Sequence, residues 1–567
     1  MNDYKPKLFS VMKGYTKEQL VKDVISGIIV AIIALPLSIA LAIASGVEPQ
    51  TGIYTAIVAG FVISFLGGSR VQIAGPTAAF ATIVAGIVAA NGMDGLIAAT
   101  IMAGIILIIM GLLKLGNLIK FIPYTITTGF TAGIAVTILV GQLNSFFGVS
   151  ISEYTEEHGS PIETIDKLKA LFSCFDTFNY MSLIVGVASL AILILWPKIN
   201  KTIPPSLIAV IVLSAVVKLA GIDVDTIGSR YGDLSGLPEF HIPSVSFGMI
   251  RDLLPDAFTI AILAAIESLL SCVVADGMIG SRHRSNAELI AQGAGNIASG
   301  FFGGIPATGA IARTAANIKN GGRTPVAGMV HAAVLLLMLI FLMPYAKLIP
   351  MPVIASILFM VAYNMSGLRA VADTLKKAPK SDISVLLVTF VLTVIFDLVA
   401  AIVVGLVLAC LLFMKRMSDV TSIRGWMYEE DMEKIRQENI EYHETTDTDH
   451  ISLKFVPKNT LVFEVTGPLF FGAADKLTEV VRDTNEDIVI LRMRSVPAMD
   501  ETAMHTLESV YEICHKNKIE LVFSHVNEQP MSVLKKHGYI EKLGQDHFCR
   551  NIDEALEFAA KIEERKS

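Results

Sequence analysis

The sequence predicts an α-helical multipass membrane protein that ends in a small α/β domain. Hydrophobic residues make up 53% of the 567 residues and charged residues only 17%, which is far from the composition of a soluble globular protein. The apolar residues are concentrated before about residue 416, and strand and helix patterns alternate after residue 451. These observations separate a membrane part from a soluble part.

Several apolar segments of the membrane part, such as 24–45, 95–113, 181–196 and 325–345, have the length and near absence of charge expected of spanning helices of roughly 20 residues. We count about fourteen predicted spans, in two sets of seven. The first set lies near 24–45, 52–66, 74–90, 95–113, 119–143, 180–196 and 204–220. The second set lies near 255–277, 287–302, 309–319, 325–345, 351–366, 382–397 and 399–414. The third and tenth runs are the short ones.

Basic residues in the loops predict the orientation, because cytoplasmic loops accumulate lysine and arginine. With the N-terminus inside, about 20 basic residues fall on the cytoplasmic side and about six on the outer side. The outer ones are Lys167, Lys169, Lys218, Arg230, Arg251 and Lys347. This asymmetry predicts that both termini are cytoplasmic, although removing two adjacent spans would give the same result.

Two Gly/Pro-rich segments interrupt the apolar sequence in the same way, GGSRVQIAGPTAAF at 67–80 and GGIPATGAIART at 303–314. Such paired interruptions in two halves of a membrane protein indicate broken helices whose N-termini meet at a midplane substrate site. A helix N-terminus carries roughly half a positive charge and unpaired N–H groups. The segments therefore predict a transporter whose substrate is a small anion.

The residues after the last span predict a separate soluble domain. We expect a cytoplasmic N-terminus over 1–23, a membrane domain over 24–416, a polar linker over 417–450 and a cytoplasmic α/β domain over 451–567. The α/β domain has no P-loop and no GxGxxG motif, and the five cysteines lack metal or redox spacing. We expect no enzymatic activity, cofactor, metal site or nucleic-acid partner.

Long polar motifs within the membrane domain resemble those of the sulfate permease family of anion transporters. They are LPLSIALAIASGVEPQTGIYTA at 34–56, the interruption at 67–80 and the continuous segment 267–325. The C-terminal domain is similar to anti-sigma factor antagonists, the STAS domain. Within the family, GPTAAF, ESLLS, DGM and AIARTAAN are most similar to the bacterial branch that moves C4-dicarboxylates with protons.

The resemblance implies two inverted seven-helix repeats. Spans 1–4 and 8–11 would form a core domain that carries the substrate, spans 5–7 and 12–14 a gate domain, and transport would be an elevator-like movement of core against gate. It also implies a homodimer, and a STAS domain that contacts the membrane domain or a cytosolic partner. Thr502 stands where soluble relatives have a phosphorylated serine, but Glu501 and Ala503 do not match the small residues usual there, so we do not expect phosphorylation.

Arg313 and Glu267 are the charged residues that we expect to act in transport. A charge inside the membrane costs about 3 kcal/mol or more unless it faces a cavity or a partner. Arg313 would hold a carboxylate or sulfate with its planar donors. Glu267 would be the proton site, because burial favours its protonated form. The alternative for both is a structural ion pair between Arg313 and Glu267, and Arg313 could instead reach the cytoplasmic surface.

The substrate-binding prediction adds backbone N–H groups and two hydroxyls around the broken helices. The backbone donors are Thr77, Ala78 and Ala79 in the first interruption and Gly309, Ala310 and Ile311 in the second, where small residues let an anion approach the main chain. The alternative is that these small residues serve helix packing. Ser38 and Ser271 could supply hydroxyls, or could bond to their own helices. Ile311 differs from family members with a hydroxyl at this position, which argues against sodium coordination through that side chain. Some relatives have aspartate at the position of Glu267 and use sodium, so the glutamate favours protons over sodium as the coupling ion.

Other polar residues in the membrane domain have structural interpretations. Asn286, Glu288, Gln292 and Asn296 form a stripe at helical spacing, which we expect to be a hydrogen-bond seam rather than part of the pathway. His331 is expected to be a packed neutral residue, and Arg282, His283 and Arg284 a cytoplasmic loop.

The sequence thus favours a secondary active transporter of small anions in the bacterial inner membrane, coupled to protons. The anion would be a C4-dicarboxylate or sulfate. The alternatives are a bicarbonate or sulfate transporter with different coupling, a passive anion channel, and a membrane-tethered signalling protein.

Overall fold

A computed structural model describes most of the chain in two compact units, 1–407 and 408–567. The described residues are 4–117, 123–159, 161, 163–200, 203–232, 236–244, 246–396, 398–426, 451, 454–470, 477–478, 481–482, 484 and 486–566.

The first unit is helical. Its first helices are α1 (Lys7–Val11), α2 (Lys17–Ala44), α3 (Pro49–Leu66), α4 (Ala81–Leu112), α5 (Tyr124–Gly141), α6 (Leu143–Phe147), α7 (Ser152–His158), α8 (Thr164–Ser173), α9 (Tyr180–Ile199), α10 (Pro205–Ala220), α11 (Ile227–Tyr231) and α12 (Phe247–Asp252). The next are α13 (Leu254–Ile279), α14 (Ser285–Phe301), α15 (Ile311–Lys319), α16 (Val326–Ala346), α17 (Met351–Ser366), α18 (Leu368–Lys377) and α19 (Lys380–Ile395). Helix α20 (Leu398–Val420) contains the boundary between the units.

Each predicted span coincides with a helix or with part of one. The predicted third and fourth spans are two halves of α4, which is bent at Gly92 because this residue takes a positive φ of 66°. Within the described part of the chain, nine helical stretches are long and apolar enough to cross a membrane. The helical multipass architecture is confirmed, and the number fourteen stays a prediction.

Glycines let the helices of the first unit approach one another closely. A Cβ atom on Gly104 of α4 would lie 2.6 Å from the carbonyl oxygen of Gly293 on α14. Small residues of this kind are typical of helix packing in membranes, where close backbone contact replaces the hydrophobic effect. This contact holds α4 against α14, so the two helices that flank the broken segments pack as a pair.

Two short strands link the two interruptions of the apolar sequence. Strand β1 (Ala74–Gly75) pairs antiparallel with β2 (Thr308–Gly309), with Ala74 opposite Gly309 and Gly75 opposite Thr308. Helix α15 starts directly after β2, and a 3-10 turn at Ala78–Phe80 leads from β1 into α4. The fold therefore places the starts of two helices beside a common two-stranded crossing.

The second unit contains a five-stranded sheet in chain order: β3 (Ser422–Trp426), β4 (Thr460–Thr466), β5 (Ile488–Ser495), β6 (Glu520–Ser524) and β7 (Phe548–Cys549). Strand β3 is antiparallel to β4, and the other neighbours are parallel. The helices of this unit after β5 are α21 (Glu501–Asn517), α22 (Glu528–Lys536), α23 (Tyr539–Leu543) and α24 (Ile552–Lys566).

The parallel strands are buried on both faces, as expected when helices cover both sides of a sheet. Leu461 and Phe463 of β4 pack in the cluster that contains residues of α21. Val462, between them, packs in the cluster that contains residues of α24. The predicted α/β domain is thus confirmed.

The boundary of that domain differs from the sequence prediction at one point. Residues 417–450 were predicted as a linker, but Ser422–Trp426 form the edge strand β3 of the sheet. The short SIRGW segment has too few apolar residues to be recognised as a strand without its partner, β4. The rest of the predicted linker, 427–450, lies outside the described residues.

Candidate functional site

The two interruptions of the apolar sequence meet in the structure. Besides the pairing of β1 and β2, the N–H group of Ala310 donates to the carbonyl oxygen of Ile73 at 2.9 Å. The N–H group of Ile73 donates to Thr314 Oγ1 at 3.1 Å. These bonds fix the start of α15 against the segment that leads into α4, as broken helices around a common site require.

The crossing is further held by α13. Ser268 Oγ lies 2.7 Å from Thr308 Oγ1, and the N–H group of Gly309 donates to Ser268 Oγ at 3.1 Å. Ser271, one turn later, donates to Thr314 Oγ1 at 3.4 Å. Ser268 and Ser271 are fully buried. Helix α13 therefore stabilises the β1–β2 pair and the start of α15 through hydroxyl hydrogen bonds rather than through charges.

The backbone N–H groups predicted to bind the anion differ in whether they already donate a hydrogen bond within the protein. The N–H groups of Gly309 and Ala310 are used within the protein, by Ser268 Oγ and by Ile73. The first N–H groups of a helix have no partner inside that helix. Among the described residues, the predicted donors that are not used in this way are the N–H groups of Thr77, Ala78 and Ala79 on one side and of Ile311 on the other.

Arg313 lies in the first turn of α15 and reaches across to the other broken segment. Its Nη2 donates to the carbonyl oxygen of Pro76 at 3.0 Å, and the side chain is 2% exposed. Among the described residues, its Nε and Nη1 atoms have no hydrogen-bond partner. The donor atoms of a buried guanidinium normally all have hydrogen-bond partners. Nε and Nη1 of Arg313 therefore remain able to donate hydrogen bonds to an anion.

The guanidinium of Arg313 lies close to the backbone of Gly75 in β1. A Cβ atom on Gly75 would overlap Arg313 Nη1, so a larger residue at this position would force the guanidinium to shift from its place beside β1. Glycine at 75 therefore has a steric reason that the sequence pattern alone did not reveal.

Glu267 lies on α13 and is half-buried. Its Oε2 accepts a hydrogen bond from Thr77 Oγ1 at 3.1 Å. No ion pair joins Glu267 to Arg313 anywhere in the described chain, so the structural pairing that the sequence left open is not formed in this conformation. Glu267 instead contacts the residue that precedes Ala78 and Ala79.

Ser38 on α2 and His331 on α16 are fully buried polar residues of the first unit. Neither Ser38 Oγ nor the two ring nitrogens of His331 have a partner among the described residues. Ser38 thus does not bond to its own helix backbone. His331 is fully buried on α16, as expected for a packed residue.

The polar stripe on α14 is a hydrogen-bond seam. Glu288 accepts from the N–H groups of Gly68 and Ser69 at 2.8 and 3.1 Å, and Gln292 Nε2 donates to Glu288 at 2.9 Å. Asn296 bonds both backbone groups of Ala307. The stripe therefore forms hydrogen bonds to the backbone of both interruptions, at 67–80 and at 303–314.

Two residues that the sequence analysis did not single out also hold the first interruption. Asn317 Nδ2 donates to the carbonyl oxygen of Val71 at 2.8 Å. Gln72 accepts from Cys272 Sγ, and a Cβ atom on Gly309 would overlap Gln72 Nε2. Gln72 lies in the interruption at 67–80 and Asn317 in the polar segment 267–325, but a single amide in the sequence gives no sign of its partner.

Thr502 in the second unit is exposed in the first turn of α21. Asp500 caps that helix by accepting from the N–H group of Ala503 at 2.9 Å. The cap gives Asp500 a structural role independent of any modification of Thr502.

Comparison with protein families covers both units. Residues 20–389 match the Sulfate permease family, and residues 451–555 match the STAS domain.

Two bacterial proteins are similar over nearly the whole chain. The YvdB protein of Bacillus subtilis (strain 168), whose name proposes sulfate as its substrate, is 39% identical over 548 residues, which cover 96% of this chain and 98% of that protein. The bicarbonate transporter BicA of Picosynechococcus sp. is 30% identical over 552 residues, which cover 95% of this chain and 94% of that protein.

Two solved structures are similar in fold. The transmembrane domain of a cyanobacterial BicA has a TM-score of 0.61 at 30% identity, covering 68% of this chain and 98% of that domain. Murine solute carrier 26 family member A9, an anion transporter in the inward-facing state, has a TM-score of 0.84 at 19% identity. That match covers 98% of this chain and 94% of the murine chain, and it bears on the fold alone.

Proposed function

Because the chain belongs to the sulfate permease family, we propose that it is a proton-coupled symporter of a small oxyanion, either a C4-dicarboxylate or sulfate. The protein is a multipass anion transporter with a C-terminal STAS domain, and its relatives are transporters rather than enzymes. The substrate, the coupling ion and the movement are the proposed parts.

The hydrogen bond between Thr77 and Glu267 carries the proposal of proton coupling. It puts a carboxyl group in contact with the residue that starts the anion-binding segment. A charged carboxylate there would repel an incoming anion, and at 4 Å two like charges cost about 4 kcal/mol in a medium of effective dielectric constant 20. Protonation of Glu267 removes that repulsion, so proton and anion bind together.

The unused donors of Arg313 support the proposal of an oxyanion. Nε and Nη1 of the guanidinium are separate donors without partners among the described residues, which suits a planar or tetrahedral oxyanion better than a spherical halide. The N–H groups of Thr77, Ala78, Ala79 and Ile311 complete a binding site for an anion with several oxygens.

The proposed movement is that of an elevator. Helices α2–α4 and α13–α16 would form a core that carries the site past a gate formed by α5, α9, α10, α17, α19 and α20. The contacts between α13, α15 and the two broken segments support a rigid core, because they join the elements that carry the site. We place the protein in the bacterial inner membrane as a homodimer, with both termini and the STAS domain in the cytoplasm.

Bicarbonate is the second candidate substrate, favoured by the similarity to BicA over both chains. Counterflow in proteoliposomes separates the candidates. Vesicles are preloaded with succinate, fumarate, sulfate or bicarbonate and the entry of labelled anion is followed with and without a pH gradient. Counterflow by succinate or sulfate that grows with an inward proton gradient supports the proposal, whereas counterflow by bicarbonate alone would replace it.

A further inference from the structure

A cavity of about 440 Å³ opens in the first unit between the start of α4 and the loop helices that follow α5. Ala81, Thr82 and Ala85 line it on α4, and Thr137 and Gln142 line it at the end of α5. Ala81 directly follows the 3-10 turn that carries Ala78 and Ala79. The cavity thus adjoins the candidate anion-binding segment without including Arg313.

The cavity carries positive charge from two residues outside the spans. Lys167 on α8 and Arg230 on α11 both line it, and the loop charges place both residues on the outer side of the membrane. None of the described residues that line the cavity is acidic. The positive charges of Lys167 and Arg230 therefore have no acidic counterpart among the described residues that line the cavity.

Lys167 has no counter-charge within the described part of the chain, where it makes no ion pair and no hydrogen bond. It lies against the end of α5, where a Cβ atom on Gly141 would be 3.8 Å from Lys167 Nζ. Burial lowers the pKa of its ammonium group, and no nearby carboxylate opposes that effect. The neighbouring Lys169 differs, since it is exposed and pairs with Asp166 at 2.9 Å.

Arg230 also has no acidic partner among the described residues. Its Nη1 donates to Ser145 Oγ at 3.2 Å, and this neutral hydroxyl is its partner among the described residues. Clefts lined by charge of one sign concentrate ions of the opposite sign and raise their rate of entry. The amide groups of Gln142 and Asn144, which also line the cavity, add donors for an oxyanion.

We propose that this cavity is an outer capture site, in which Lys167 and Arg230 bind a small oxyanion before it passes to the first turn of α4. The inference rests on the proposed function, because the captured anion is the one that is transported. Capture from outside concentrates the substrate beside the helix start at Ala81, and it leaves the binding step at Arg313 unchanged. The two cations therefore determine the apparent affinity for external anion rather than the rate of the transport step.

The test measures uptake and efflux of labelled sulfate and succinate by the full-length protein in right-side-out membrane vesicles. In the variants K167Q and R230Q, we expect the KM for external anion to rise about tenfold, as the loss of one charged hydrogen bond implies. The maximal rate of uptake and the KM for efflux from inside should stay within about twofold of the wild-type values. Added salt should reduce the difference, because it screens the two charges.

Two control variants test whether the effect depends on the position and on the positive charge of Lys167. K169Q removes an exposed lysine two residues from Lys167 on the same helix and should leave every parameter unchanged, and K167R should keep most of the affinity. Equal KM values for external anion in wild-type, K167Q and R230Q would overturn the inference while leaving the proposed function intact. Absence of sulfate and succinate transport by the wild-type protein would overturn both.

Discussion

Thr77 donates its hydroxyl hydrogen to Glu267 across 3.1 Å, which joins the start of one broken helix to a carboxyl group on α13. Arg313, on the other broken helix, bonds to Pro76, the residue before Thr77. The positive charge and the titratable carboxyl group thus contact adjacent residues of one segment without pairing with each other. An anion bound there would respond to the protonation of Glu267.

Replacing Arg313 by glutamine should remove most of the affinity for anion. We expect the Kd for sulfate or succinate to rise by about tenfold to a hundredfold, because hydrogen bonds to charged groups contribute about 1.5–3 kcal/mol each. Isothermal titration calorimetry on the purified protein measures this. A melting temperature close to the wild-type value should accompany the loss, since Arg313 pairs with no carboxylate in the described part of the chain. Unchanged affinity in the folded variant would contradict the role of Arg313.

Replacing Gly75 by alanine should displace the guanidinium. The new Cβ atom would overlap Arg313 Nη1, so Arg313 must move away from the crossing and the affinity for anion should fall several-fold. Gly86→Ala is the matched control, because a Cβ atom on Gly86 of α4 meets no other atom within 4 Å. Equal anion binding by the two variants would show that the position of Arg313 beside Gly75 is not needed.

Replacing Glu288 by alanine should destabilise the first interruption. Two buried N–H groups, at Gly68 and Ser69, would lose their acceptor, and each unsatisfied group costs about 1–3 kcal/mol. Thermal unfolding of the detergent-solubilised protein should show a clear decrease in midpoint. Glu18→Gln, which removes an exposed pair with Lys22, should change it little; a similar decrease in both variants would argue against the capping role of Glu288.

The buried cysteine of the STAS domain should resist alkylation. Burial raises the pKa of the Cys514 thiol to about 12, so the reactive thiolate is rare at pH 8 and the thiol reacts only at strongly alkaline pH or after unfolding. Mass spectrometry after treatment with iodoacetamide measures this. Cys549 is partly exposed and its pKa is raised only to about 11, so it should react first. Rapid labelling of Cys514 at pH 8 without denaturant would contradict its burial.

The sequence was sufficient to predict the elements that have strong local signals. The two interruptions were visible because Gly and Pro stand out in apolar sequence, and Arg313 because a charge in a short span is costly. The use of the Gly309 and Ala310 N–H groups was not predictable, since their acceptors, Ser268 and Ile73, belong to other segments.

Long-range pairing accounts for the other differences between sequence and structure. Strands β1 and β2 have two residues each, too few for any periodicity, and they exist only because the interruptions meet. The edge strand β3 is likewise fixed by β4, which lies more than thirty residues later in the chain. The absence of a bond between Arg313 and Glu267 depends on side-chain direction, which spacing along the chain does not give.

The decisive measurement is the accumulation of succinate and sulfate in proteoliposomes under an inward proton gradient, compared between wild-type protein and Glu267→Gln. The wild-type protein should concentrate one of these anions above its external level, and accumulation should collapse when the gradient is dissipated. Glu267→Gln should exchange labelled for unlabelled anion at a rate close to wild type but should not accumulate it. Accumulation by Glu267→Gln equal to that of the wild type would contradict proton coupling through Glu267.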